Sequence, residues 1–214
     1  DASIVTTSAA TGMDLGAGID SLNNSASVTV ESDAFSYSDS VGLELFGATF
    51  TRADTSADAT AAGIAAGNGA DSITNEGAVN VTAGSISFAS TTSSSFLAGY
   101  SDASSKVGST SEALGIDGGA GDDFVRNGNT VTVRAKSEAY AGSLTVHLAG
   151  AGTSDVGTAD AGTSANSKAV GIGGGAGDDI IESNAAIDAR AESLNDYTLE
   201  NPTIGGMTSV DLKL

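Results

Sequence analysis

Twice in this chain two carboxylates stand side by side at the end of a glycine-rich string. The strings are Gly118-Gly119-Ala120-Gly121-Asp122-Asp123 and Gly174-Gly175-Ala176-Gly177-Asp178-Asp179. Related strings carry Asp20 and Asp71 at the matching slot. Counted from Gly12, Gly63, Gly115 and Gly171, the copies are 51, 52 and 56 residues apart. If successive copies pair as parallel strands, Asp71 lies about 4.8 Å from Asp123, and Asp123 as far from Asp179. Like charges directly opposite are destabilising. Asp122 and Asp178 add a second carboxylate at two levels. A hard divalent cation with oxygen ligands would relieve that repulsion. The plainer alternative is a turn in which glycine takes φ > 0 and the Asp caps it by a local hydrogen bond.

Other residues offer less. Asn24, Asn75 and Asn127 recur in the same register, with Ser183 in the fourth copy, and suggest an amide ladder or plain turns. Arg134 and Arg190 occupy equivalent outward positions beside Lys136, where a carbohydrate or carboxylate site could be built; a solvated surface is the simpler reading. His147 has no paired Cys, Ser or second His, and the many Ser and Thr single out no nucleophile.

The elements that must position these residues are strands. Val131, Val133, Ala135, Ser137 and Ala139 alternate with Thr132, Arg134, Lys136 and Glu138, a period-2 pattern with the small face inward. Ser167 and Ala169 alternate likewise with Asn166 and Lys168 before the fourth turn. Gly and β-branched residues interrupt every window that would favour a long helix. Each repeat therefore reads as strand, tight glycine turn, longer strand and variable return loop. Such a unit cannot bury its own face and must stack on its neighbours. The expected fold is all-β: a parallel β-solenoid of four repeats of about 52 residues, one repetitive domain over 1–214. One wide coil per repeat is favoured, with two or three shorter coils left open.

Composition removes several functions. Eight Lys+Arg against 27 Asp+Glu leave a net charge of −19, which excludes nucleic acid as the main partner. No run of 18 apolar residues exists, so no membrane-inserted helix is expected. With no Cys, disulfides and thiolate metal sites are excluded. A hydrophobic content of 40% argues against disorder in spite of the acidity.

The two complete strings, continued through Phe124-Val125-Arg126 and Ile180-Ile181-Glu182, match G-G-x-G-x-D-x-U-x. That nonapeptide resembles the calcium-binding repeat of the RTX β-roll proteins, and the chain is also similar to passenger repeats of bacterial autotransporters and large surface adhesins. The copies at Leu15–Asn23 and Ala66–Thr74 match except at the first Gly, so the resemblance covers four nonapeptides, about a sixth of the chain. It implies calcium held by Asp20, Asp71, Asp123 and Asp179 with the backbone carbonyls of Gly119, Gly121, Gly175 and Gly177. The paired Asp122 and Asp178 complete the candidate metal set. It also implies an extracellular, secreted or cell-surface protein. The leading expectation is therefore a non-enzymatic structural segment, stiffened by calcium and joined to itself head to tail as a fibre, surface layer or adhesin stalk. That assembly is expected because both ends, Ser3–Thr7 and Ser209–Leu214, read as strand. The alternatives are a carbohydrate-active β-helix enzyme of lyase or epimerase type, or a ligand-binding adhesin region. An enzyme would need Lys/Arg or a Tyr/His pair clustered in a groove, whereas the basic residues are scattered along the chain.

Overall fold

A computed structural model of the protein describes residues 1–149, 157–200 and 203–204, the side chains of 97–99, 147–149, 157, 203 and 204 apart. The described residues form β1 (Ala2–Asp14), β2 (Ser21–Asn24), β3 (Val28–Ala65), β4 (Ser72–Asn75), β5 (Val79–Asp117) and β6 (Phe124–Asn127). They continue as β7 (Val131–Ala149), β8 (Gly157–Gly173), β9 (Ile180–Ser183), β10 (Ile187–Glu200) and β11 (Thr203–Ile204). A seven-stranded sheet runs β1-β3-β5-β7-β10, with β8 also on β5 and β11 on β7; β2-β4-β6-β9 form a separate four-stranded sheet. Every pair is parallel. Equivalent residues face each other: Val28 pairs with Val79, Val79 with Val131, and Val131 with Ile187.

β3 has 38 residues, which would extend about 125 Å if straight. Instead the long strands bend back on themselves. The register shifts between Glu44 and Phe46, and Gly47 there adopts φ 118°. Length differences between copies collect at this bend: Val28 pairs 51 residues on, whereas Ala53 beyond the bend pairs with Ser105. The two limbs then face each other across a narrow interior. Its end nearest the glycine turns is apolar, with Val79, Val81, Val131, Val133, Ile64 and Ile116 at most 1% exposed. Further in, hydroxyls take over: Ser85 bonds Ser109 at 2.7 Å, Ser87 bonds Thr55 at 3.0 Å, and Ser105 bonds Ser143 at 3.0 Å. Buried hydroxyls are tolerated here because each limb offers partners to the other.

This architecture corrects the expected four-repeat, RTX-like β-solenoid with its adhesin-type repeats. The predicted unit ended in a variable return loop, but Val28–Ala65 and Val79–Asp117 are unbroken strands. The protein is an all-parallel β wall, nearly closed in cross-section, with a small separate sheet across one end; it is not a β-roll of short strands on tandem glycine turns. The Ser/Thr-rich stretches read as loops because small polar residues usually mark them; here they alternate with outward residues and hydrogen-bond inside.

The head-to-tail polymer, and with it the filament and structural-segment reading, is corrected as well. Interior hydrogen bonds such as Ser85–Ser109, Ser87–Thr55, Ser105–Ser143 and Ser111–Ser137 join the two limbs within the chain, which makes an enclosed domain rather than an open unit that borrows a partner. Ser209–Leu214 lies outside the described residues.

Candidate functional site

On β7 the buried positions Val133, Ala135, Ser137 and Ala139 alternate with Arg134, Lys136, Glu138 and Tyr140, which face outward. Ser137 pins this stretch from inside. Its Oγ hydrogen-bonds Ser85 at 3.2 Å and Ser111 at 2.6 Å and donates to the Asn166 carbonyl. The polar interior thus fixes the backbone between Lys136 and Glu138, the kind of support a preorganised site needs.

Outside, the register brings in residues from other strands. Arg190 of β10 pairs with Arg134, Glu192 with Lys136, and Gly84 of β5 with Lys136 from the other side. Gly84 carries no side chain, and the Asp33 carboxylate leans over it. The result is a trough of about 390 Å³ between Phe35, Ile86, Arg134 and Lys136, continued by a smaller one of about 170 Å³ toward Arg190 and Glu192.

Next to the trough along β7, Lys136 Nζ donates to Glu138 Oε1, and Tyr140 Oη donates to Glu138 Oε2 at 3.1 Å. Glu138 is the shielded member, with its side chain 14% exposed against 58% for Lys136. The Lys136 bond holds the Glu138 carboxyl below its usual range, against the opposing effect of burial. The same bond raises the Lys136 ammonium. Desolvation, followed by the bond to Glu138, raises the Tyr140 phenol. At neutral pH the trio is therefore ammonium, carboxylate and phenol. Asp188 lies 3.6 Å from Arg134 and 3.0 Å from Arg190, in exposed pairs of small net worth. A ligand carboxylate can replace it at little cost.

The expectation that the protein is not an enzyme rested on the absence of any place where dissimilar residues converge. That expectation is corrected here, because three of the eight basic residues share one outer face with a tyrosine and two glutamates, over an interior of buried Ser/Thr/Asn hydrogen bonds. Arg134, Lys136 and Arg190 were visible in the sequence. Glu138, Tyr140, Glu192 and Gly84 were missed, although two-residue spacing along β7 and the repeat offset together would have found them. His147 pairs through its backbone with Ser95, and its side chain lies outside the described residues.

The candidate metal residues form a different arrangement. Oδ1 of Asp71, Asp123 and Asp179 accepts the backbone N–H of Asp20, Asp71 and Asp123 at 2.7, 2.8 and 2.9 Å. Oδ2 of Asp20, Asp71 and Asp123 is buried and has no hydrogen-bond partner. Asp122 Oδ1 accepts from the Asp178 N–H at 2.9 Å. Gly119, Gly121, Gly175 and Gly177 all adopt positive φ. The Gly119 carbonyl accepts from Ala176 at 2.8 Å and keeps one lone pair free, while Gly121 donates to Ala176. Beside them the amide ladder is continuous: Asn24 Nδ2 donates to Asn75 Oδ1 at 2.7 Å and Asn75 Nδ2 to Asn127 Oδ1 at 2.8 Å. No family model matches the chain, and no curated protein and no solved structure is similar to it.

Proposed function

We propose that the protein is a carbohydrate-active enzyme of lyase type, acting on a uronate-containing polysaccharide at the outer face of β7. The convergence of Arg134, Arg190, Lys136, Glu138 and Tyr140 carries this reading. On a chain of charge −19, an anionic glycan is drawn only where cations gather. The substrate carboxylate competes with Glu138 for Lys136, and the carboxylate of another uronate of the same polymer takes the place of Asp188 on the arginines. Neutralising the carboxylate at Lys136 acidifies the adjacent C5–H. Releasing Lys136 restores basicity to Glu138, which takes the C5 proton. The electron pair left behind forms the C4=C5 double bond as the C4–O bond breaks. Tyr140 gives its phenolic proton to the departing oxygen and recovers one from Glu138. Proton transfer by a positioned pair of this kind contributes about 10²–10⁴-fold.

Incubation with a panel of polyuronates, followed by ultraviolet absorbance, tests the reading. Unsaturated products should appear with the wild-type protein and fall at least ~100-fold with Tyr140→Phe. Binding without any unsaturated product would shift the assignment to a ligand-binding region. An extracellular setting goes with this reading, because polyuronates are extracellular polymers.

We also propose that calcium binds along the glycine turns, supported by the buried, unpartnered Oδ2 atoms of Asp20, Asp71 and Asp123. Buried acceptors without partners call for an explanation, and a cation supplies one. Those carboxylates, Asp179 and the free lone pairs of the glycine carbonyls would hold it, and its charge would offset the stacked acids. Calorimetry at constant ionic strength should show a midpoint that rises with free calcium, by about 2.7 kcal/mol of stability at 100 times Kd. A midpoint identical in calcium and in EGTA would leave the Asp residues as simple caps.

A further inference from the structure

A second trough, of about 230 Å³, lies farther along the same outer face, between Phe88, Ser90, Tyr140, Gly142, Asp196 and Thr198. The Phe88 and Tyr140 rings stack at 4.5 Å and within 7° of parallel. The far face of Tyr140 is therefore turned toward β10, where its register partner is the short Asp196 rather than a third ring. Gly142 has nothing within 4 Å of the place a Cβ would occupy. The floor of the trough is open because the strand carries no side chain there. An aromatic face beside hydroxyl and carboxylate acceptors suits a ligand with an apolar C–H face and a rim of hydroxyl donors.

We infer that this trough binds one uncharged pyranose ring, stacked on the far face of Tyr140, with its hydroxyls hydrogen-bonded to Asp196 and Thr198. An anionic ring is disfavoured by Asp196, which sits inside the trough with no cation lining it. Tyr140 lines this trough and its Oη reaches Glu138 at 3.1 Å, so the trough starts at the phenol that protonates the leaving oxygen. The inference rests on the carbohydrate reading of the first trough and narrows it. The substrate class becomes a heteropolysaccharide in which a neutral sugar follows the uronate, the uronate on Lys136 and its neighbour over Gly142.

Gly142→Val tests this directly, since a β-branched residue suits a strand and its side chain enters empty space. Binding of neutral cellohexaose and mannohexaose would be followed by saturation-transfer NMR and titration, and binding of a homopolyuronate in parallel. The expected result is that wild-type protein binds at least one neutral hexasaccharide. Gly142→Val should bind it at least about tenfold more weakly, with Asp196→Ala several-fold weaker, while affinity for homopolyuronate, whose rings Asp196 disfavours in this trough, should fall by less in Gly142→Val. The thermal midpoint of Gly142→Val reports that the fold is intact. Absence of binding to either neutral hexasaccharide, or equal binding by wild type and Gly142→Val, would overturn the inference. Loss of polyuronate cleavage with neutral binding preserved would sink the lyase reading and leave this one standing.

Discussion

The glycine turns and the outer face of β7 are built on the same parallel register, and they use it in opposite ways. Along the turns every level repeats its neighbour: Asp20, Asp71, Asp123 and Asp179 occupy one row, and Asn24, Asn75 and Asn127 another. On the outer face each level differs. One row reads Asp33, Gly84, Lys136, Glu192, and the next reads Phe35, Ile86, Glu138, Leu194. A row of identical residues pairs with itself by ladder bonds that run from level to level, and in the aspartate row these leave Oδ2 of Asp20, Asp71 and Asp123 over. A row of unlike residues leaves hollows at its glycines and sets cations beside carboxylates. Repetition therefore holds this fold together, and the departures from repetition supply its chemistry.

The same substitution placed in both regions should have opposite consequences. Gly119 adopts φ 93°, and a Cβ there would be driven into the carbonyl oxygen of Gly67. That oxygen already accepts the Ala120 N–H at 2.8 Å, so the neighbouring level cannot move away without losing a ladder bond. Gly119→Val combines a forbidden φ with a backbone clash and should cost about 4 kcal/mol or more, or prevent folding. Gly142→Val should stay within about 0.5 kcal/mol of wild type. Urea unfolding of the two variants measures the difference. Similar midpoints for both would show that the turns are no more constrained than the outer face.

The sequence displays the pairing register because Gly, Asp, Asn and Val recur without gaps, so the partners of Val79 or Asn75 follow from spacing alone. The closure of the wall is not displayed. Ser105 falls in a stretch that reads as loop and Ser111 reads only as a small inward strand residue; the opposing limb shows them, with Ser85 and Ser87, as an interior hydrogen-bond network. Part of the site was legible for the same reason. Arg134 and Arg190 share a repeat position, so register alone brings them together. Glu138 and Tyr140 belong to no repeated row; their partnership arises from two-residue spacing on one strand and from shielding that composition does not reveal. A search for repetition finds the scaffold and passes over the irregular residues.

The smallest effect expected is a displacement in pH, and it sharpens the contrast because it belongs to the outer face alone. Glu138 is held below the usual carboxylate range chiefly by the Lys136 hydrogen bond. A depressed carboxyl favours the folded state above its unfolded pKa, and that contribution is lost as pH falls through the lower folded value. The raised Lys136 acts at the opposite end: its contribution is complete below the unfolded value of 10.5 and fades as pH rises through the higher folded one. Lys136 is well exposed, so the pair adds little to stability and its signature lies in titration. Lys136→Met removes the main cause of the depression and leaves burial, which raises the carboxyl, opposed only by the Tyr140 bond. The carbon-13 titration midpoint of the Glu138 carboxyl should then move to higher pH, and the acid limb of any residual cleavage should move with it. An unmoved Glu138 midpoint would mean that Lys136 does not set its protonation, and the Lys136–Glu138–Tyr140 chain would lose its link between substrate binding and proton transfer.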